Sequence, residues 1–180
     1  MDGLGPIRRV VTGHDAGGRA VVLRDEVDPH KRVRPGRGSV SRLLWVTRES
    51  PALAVADDAA EGFAGTAPPA RGSVVRIVDF PPFTDAEIAQ FDMNYLAGEH
   101  GGDADGFHRA SSHPFMHRTQ SVDYGLVLIG EIEMKLDENW VLLRAGDVVV
   151  QRATNHAWVN RSGAYCRIAF VLLDAASGEL

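Results

Sequence analysis

Apolar residues along this chain come in short runs, and most of the runs are bounded by glycine or another turn-forming residue. In the first third, "RAVVLRDEV" (19–27) follows the turn signal "HDAGG", and "SVSRLLWVTR" (39–48) follows "RPGRG". The loop "GTAPPARG" (65–72) leads into "SVVRIVDF" (73–80), another strand candidate. From residue 114 onward strands follow one another almost without interruption: "VDYGLVLIG", "EIEMKLD", "WVLLRAG", "DVVVQRA", "HAWVN" and "YCRIAFVLLD". Asp137-Glu138-Asn139 reads as a hairpin turn. Strands at this spacing with no helices between them predict a sandwich or barrel of antiparallel strands.

One segment breaks the pattern. "TDAEIAQFDMNYLAGEH" (84–100) places Thr84 and Glu87 at capping-box spacing. It also puts Ile88, Phe91, Tyr95 and Leu96 on one helical face, a stripe expected to pack into the core. Gly98, Gly101 and Gly102 end it. The polar, glycine-rich stretch 99–112 then predicts a mobile loop, carrying His100 and His108 just ahead of the strand-rich half.

Composition narrows the class. With 180 residues, 44% hydrophobic and 24% charged, the chain fits one globular domain over 1–180. Residues 112–174 form its strand-rich core, and 1–111 supply extra strands, a helix and a loop. The net charge of -5 comes from mixed charges, which excludes the basic footprint of a nucleic-acid binder. The single Cys166 excludes an intrachain disulfide and reads as a buried thiol. The N-terminus lacks a signal peptide's apolar core, and no apolar run approaches the roughly 18 residues needed to span a bilayer. The expectation is a soluble cytoplasmic protein with no nucleic-acid or membrane partner.

The stretch "HPFMHRTQSVDYGLVLIGEIEM" (113–134) carries the candidate chemistry. On an unbroken strand His117, Thr119, Ser121 and Asp123 share one face. Six residues separate His117 from Asp123, so the two converge only if the strand bends or is interrupted. A third ligand has to come from elsewhere, and "GDVVVQRATNHAWVN" (146–160) offers His156, with Trp158 and Asn160 on its parity. Two neutral imidazoles and a carboxylate make a facial set suited to Fe, Mn, Ni or Zn as divalent ions. Other readings stand beside this one. Asp123 also suits an acceptor at a strand start, and Asn160 suits structural backbone bonds. Trp158 is barrel core or pocket wall. His113 shares parity with His117, but Pro114 breaks the strand between them. His14 and His30 stand in turn-like polar surroundings and read as surface residues.

These two segments resemble the paired motifs of the cupin superfamily, antiparallel jelly-roll β-barrels. The first motif, G-x5-H-x-H-x3-E-x6-G, is matched by His117, Asp123 and Gly130, with Thr119 at the second histidine. The second, G-x5-P-x-G-x2-H-x3-N, is matched by Gly146, His156 and Asn160. Gln151 stands at its proline, Ala153 at its second glycine, and one residue is missing after Gly146. The resemblance implies a barrel whose divalent metal is held by His117, Asp123 and His156, with Thr119, Gln151 and Trp158 in the substrate pocket. It implies a metal-dependent enzyme acting on a small oxygenated organic molecule by dioxygenation, decarboxylation, isomerisation or cyclisation. The alternative is a metal-free barrel that binds or senses a small ligand. The resemblance also implies a homodimer, for which exposed N-terminal strands such as "SVSRLLWVTR" are candidates.

Overall fold

A computed structural model describes residues 4–34, 36–91 and 113–176. The chain runs through β1 (Arg8–His14), β2 (Ala20–Val27), β3 (Lys31–Val33), β4 (Val40–Thr47) and β5 (Ser73–Phe80), then α1 (Asp85–Ile88). The second half holds β6 (Ser121–Ile129), β7 (Glu131–Lys135), β8 (Trp140–Arg144), β9 (Val148–Arg152), β10 (Ala157–Val159) and β11 (Cys166–Asp174). Three antiparallel sheets result: a six-stranded sheet in the order β3-β4-β5-β11-β6-β9, a three-stranded sheet β10-β7-β8, and the hairpin β1-β2. The fold is a mainly β, antiparallel jelly-roll barrel, as the strand pattern predicts.

The core lies between the two larger sheets. Val127, Ile132, Met134, Leu143, Trp158 and Ile168 form one buried cluster. A second joins Ile88, Phe115, Met116, Ala157 and Val159 beneath Phe83 and Phe91. Each such side chain, once buried, stabilises the fold by roughly 1.5–3 kcal/mol. Gly125 makes room within the larger sheet: a Cβ there would stand 2.9 Å from Val149 Cγ1 and 3.4 Å from the Phe170 ring. Cys166 is buried, and burial, with Asp79 and Glu131 adding to it, pushes its thiol up to about 12. That protonated thiol is inert, as the apolar setting of "AYCRIAF" predicts.

The two faces of β5 diverge. Val74, Arg76, Val78 and Phe80 face the barrel interior, and Val75, Ile77 and Asp79 face outward. The outer face is covered by the N-terminal segment, which extends burial to both sides of the strand. Leu4 N–H donates to Asp79 Oδ2 at 3.0 Å, and Arg167 Nη2 donates to the Gly5 carbonyl at 2.7 Å. Arg42 and Arg167 reach Asp79 across neighbouring strands at 2.9 Å and 2.6 Å. Arg42 also bonds Asp28, and Arg9 binds Glu26 and Asp58.

Some expectations change. "SVSRLLWVTR" is not an exposed strand: β4 pairs with β5 along its length and with β3 at Val40–Arg42, and none of its residues is exposed. The edges of the large sheet are β3 and β9. "RRVVTGH" (8–14), which the pattern above does not single out, forms β1; its partner β2 supplies the pairing. The capping box is present, with Thr84 Oγ1 accepting from Glu87 N–H and the Glu87 carboxylate accepting from Thr84 N–H. Regular helix covers Asp85–Ile88, and Phe91 N–H closes a tighter turn onto the Ile88 carbonyl at 3.2 Å. The rest of the expected helix, with Tyr95 and Leu96, and the expected 99–112 loop lie outside the described residues. No helix among the described residues is long and apolar enough to cross a membrane.

Candidate active site

The barrel interior contains a cavity of about 80 Å³, with His117, Thr119, Asp123, His156 and Trp158 among its lining residues. The expected strand interruption brings them together. His117 and His156 form an isolated antiparallel bridge, each backbone N–H donating to the other's carbonyl at 2.8 and 2.9 Å. The chain leaves extended pairing over 118–120 and re-enters it at Ser121, where β6 begins. This break allows His117 and Asp123, six residues apart, to share one cavity.

The two imidazoles stand with ring centroids 4.2 Å apart. Nδ1 of His117 lies 2.9 Å from the Phe115 carbonyl, and Nδ1 of His156 lies 3.0 Å from the Thr154 carbonyl. A carbonyl only accepts, so each Nδ1 carries a proton. Burial, opposed by the Thr154 bond, holds the His156 pKa down to about 4, so its ring is neutral at pH 7. A neutral imidazole oriented through Nδ1, as at His156, has the form that metal-ligating histidines adopt.

Asp123 comes from β6 and is buried. Its Oδ2 accepts from Gln151 Nε2 at 3.2 Å, with the Thr119 hydroxyl at 3.5 Å. Its Oδ1 is buried with no hydrogen-bond partner among the described residues. Burial raises its pKa, against the Ser121 and Thr119 hydroxyls and the nearby Arg76. Gln151 is the cross-strand neighbour of Asp123, and its amide also donates to His156 Nε2 at 3.2 Å. Gln151 therefore links the carboxylate to the imidazole. Two imidazoles and an orphaned carboxylate oxygen fit the donor chemistry of a divalent ion. In this arrangement, however, no three His, Cys, Asp or Glu side chains among the described residues close on one point.

Relatives of known type sharpen the picture. A family model described as a cupin domain matches residues 108–172. The cupin-domain-containing oxidoreductase fogC of Aspergillus ruber is 31% identical over 96% of this chain and 74% of its own length. The phomopsin biosynthesis cluster protein C' of Diaporthe leptostromiformis is 36% identical over 96% of this chain and 80% of its own. This chain belongs to the cupin family. A third relative, the cupin-domain-containing oxidoreductase virC of Hypocrea virens, is 30% identical over 92% of this chain and 75% of its own length.

Within this cupin, Ala153 keeps the backbone conformation that the motif's glycine would supply, with φ +48°. The turn before His156 still needs the left-handed region, and Ala153 adopts it at a cost. Gly130, at φ +77°, ends β6 where a Cβ would meet the Tyr165 carbonyl at 2.7 Å. Asn160 donates to the Phe80 and Ala164 carbonyls at 2.9 and 2.7 Å, a structural role. Trp158 serves as core and cavity wall at once. His113 lies outside the cavity lining, against Phe115 and Trp140 at 5.3 and 5.8 Å. His14 is exposed, and His30 is half-buried, 4.0 Å from Asp58. His100 and His108 lie outside the described residues.

The sequence reading passed over the arginines of this cupin. Arg34, Arg37 and Arg76 line the same cavity. Arg76 carried a readable signal: it is the one charged residue on the inward parity of "SVVRIVDF", between Val74 and Val78.

Proposed function

We propose that this cupin is a metal-dependent enzyme of oxidoreductase type acting on a small oxygenated organic molecule, as the names of its relatives suggest for their own chemistry. The observation that carries this reading is the facing pair His117 and His156, both fixed through Nδ1, in one cavity with the orphaned Asp123 Oδ1. These three residues would hold the ion, from among Fe, Mn, Ni and Zn. What a bound ion supplies is Lewis acidity toward a substrate oxygen. The chain's own residues do the rest. Thr119 and Gln151 hold the carboxylate, while Trp158, Phe80 and Phe170 wall the cavity with apolar surface that excludes water.

The test is elemental analysis of the purified protein without added metal, repeated on His156→Ala. One ion per chain, lost in the variant, supports the reading. A metal-free protein that still binds small molecules supports the second reading, a non-catalytic binding module. The Gln151 amide, standing between Asp123 and His156, favours that alternative.

Two further parts of the reading are open to direct measurement. We place the protein in the cytoplasm, which cell fractionation checks. We expect a homodimer through the apolar outer surface of β6 and edge strand β9. There the opposed pairs Tyr124–Val150 and Leu126–Val148 are all exposed. Val148→Lys with Val150→Lys should convert a dimer to monomer in light scattering.

A further inference from the structure

The buried arginines among the described residues are held differently; Arg37 lies over the Phe115 ring at 3.9 Å. Arg9, Arg42 and Arg167 each meet one or two carboxylates. Arg76 is as buried, at 7% exposure, yet it meets none at ion-pair distance among the described residues. Its Nη2 donates to the Gly65 and Thr66 carbonyls at 2.8 and 3.1 Å, and its Nε is buried without a hydrogen-bond partner among the described residues. A buried guanidinium with an unsatisfied donor is costly unless something supplies the missing acceptor.

The surroundings make the missing acceptor more specific. Arg76 forms part of the wall between the cavity and a second hollow beside it, and both include Arg34, Thr66 and Arg76 in their lining. The second hollow adds His30 and Arg32 and no carboxylate. Among the described residues that line the cavity, Asp123 is the one acidic group, and Arg34, Arg37 and Arg76 share the lining with it. The chain as a whole carries a net charge of -5, so this pocket opposes the overall balance. Arg34 and Arg32 also press the Arg76 pKa down, behind burial as the main cause, to about 10. Asp123 offsets part of this from a distance, and the group stays cationic at pH 7.

We propose that Arg76, assisted by Arg34, binds a carboxylate on the substrate. A guanidinium fork matches a carboxylate in shape, and a low-dielectric site strengthens the bond. Arg76 and Asp123 sit on β5 and β6, two strand spacings apart across β11 and offset by two residues in register, or about 12 Å at the backbone. A molecule anchored through its carboxylate at Arg76 presents its other end to His117 and His156 across the apolar floor of Phe170 and Leu172. The substrate class is then a small organic acid whose reacting carbon lies several bonds from the anchoring carboxylate. This inference rests on the reading of the cavity as a substrate site, not on the metal.

The test uses benzoate and its neutral near-isostere benzamide as probes, titrated by calorimetry into the full chain, both chelator-treated and metal-loaded. The expected result is benzoate binding about tenfold or more tighter than benzamide, with the preference falling as salt rises. Arg76→Gln should abolish the preference, Arg76→Lys should restore part of it, and neither should change metal content. If Arg76→Gln fails to fold, Arg34→Gln should still weaken benzoate several-fold and leave benzamide unchanged. Equal affinity for the two probes, no benzoate binding, or a preference that survives in the folded Arg76 and Arg34 variants would overturn the proposal. A metal-free protein that prefers benzoate would sink the metal reading and leave this one standing.

Discussion

The outward and inward faces of β5 offer two ways of burying charge. Outward, Asp79 is fully buried and receives Arg42, Arg167 and the Leu4 amide. Inward, three residues earlier, Arg76 has no carboxylate at bonding distance among the described residues, and there Asp123 keeps one oxygen unsatisfied. The first arrangement balances desolvation with opposite charge and geometry, and its return is a fixed N-terminal segment. The second leaves polar atoms in apolar surroundings without partners, which stability alone does not favour. Unrelieved charge in a cavity marks where a ligand belongs.

Mutation should separate the two faces. Asp79→Asn removes the charge shared by Arg42 and Arg167, and should lower unfolding free energy by about 3 kcal/mol in urea titrations. Asp123→Asn should change stability by less than about 1 kcal/mol, because burial already penalises its charged form. Comparable large losses from both substitutions would erase the distinction.

A buried histidine away from both faces gives the next largest effect. Burial, helped by Arg161, Lys135 and Arg37, pushes His113 down to about 4. Its folded pKa lies below the usual 6.5, so the unfolded chain binds the extra proton. This contribution is complete above pH 6.5 and lost as pH falls toward 4. Between pH 7 and pH 5 the wild type should lose about 2 kcal/mol that His113→Phe does not lose. Denaturation of both proteins at the two pH values measures it, and parallel curves would reject it.

The smallest effect sharpens the cavity side. Ala153→Gly relieves a left-handed alanine and should stabilise the protein by about 1 kcal/mol in thermal unfolding. If metal or ligand affinity falls at the same time, the strained turn is helping to aim His156. If affinity is unchanged, the strain is incidental.

Much of this was legible in residue order. Alternation and turn residues located most strands, because half-buried strands impose a period of two on side-chain polarity. The Thr84–Glu87 box was readable because a helix start is a local hydrogen-bonding problem. The motif positions 117, 123 and 156 were readable as candidates that share one cavity. The Gln151 link was not, since it depends on the register that sets Gln151 opposite Asp123. Arg76 was visible as an anomaly in an apolar stripe, but its lack of a carboxylate was not.

Residue order was enough for the class of fold, most of the strands, and which residues have the chemistry for a site. Those properties follow from local periodicity and side-chain type. Only the tertiary structure decided which charges find partners. Asp79 and Arg167 are 88 residues apart and bonded, while Arg76, three residues from Asp79, is turned to the other face and left without a carboxylate. Strand parity sends neighbours to opposite sides, and sheet register chooses their company.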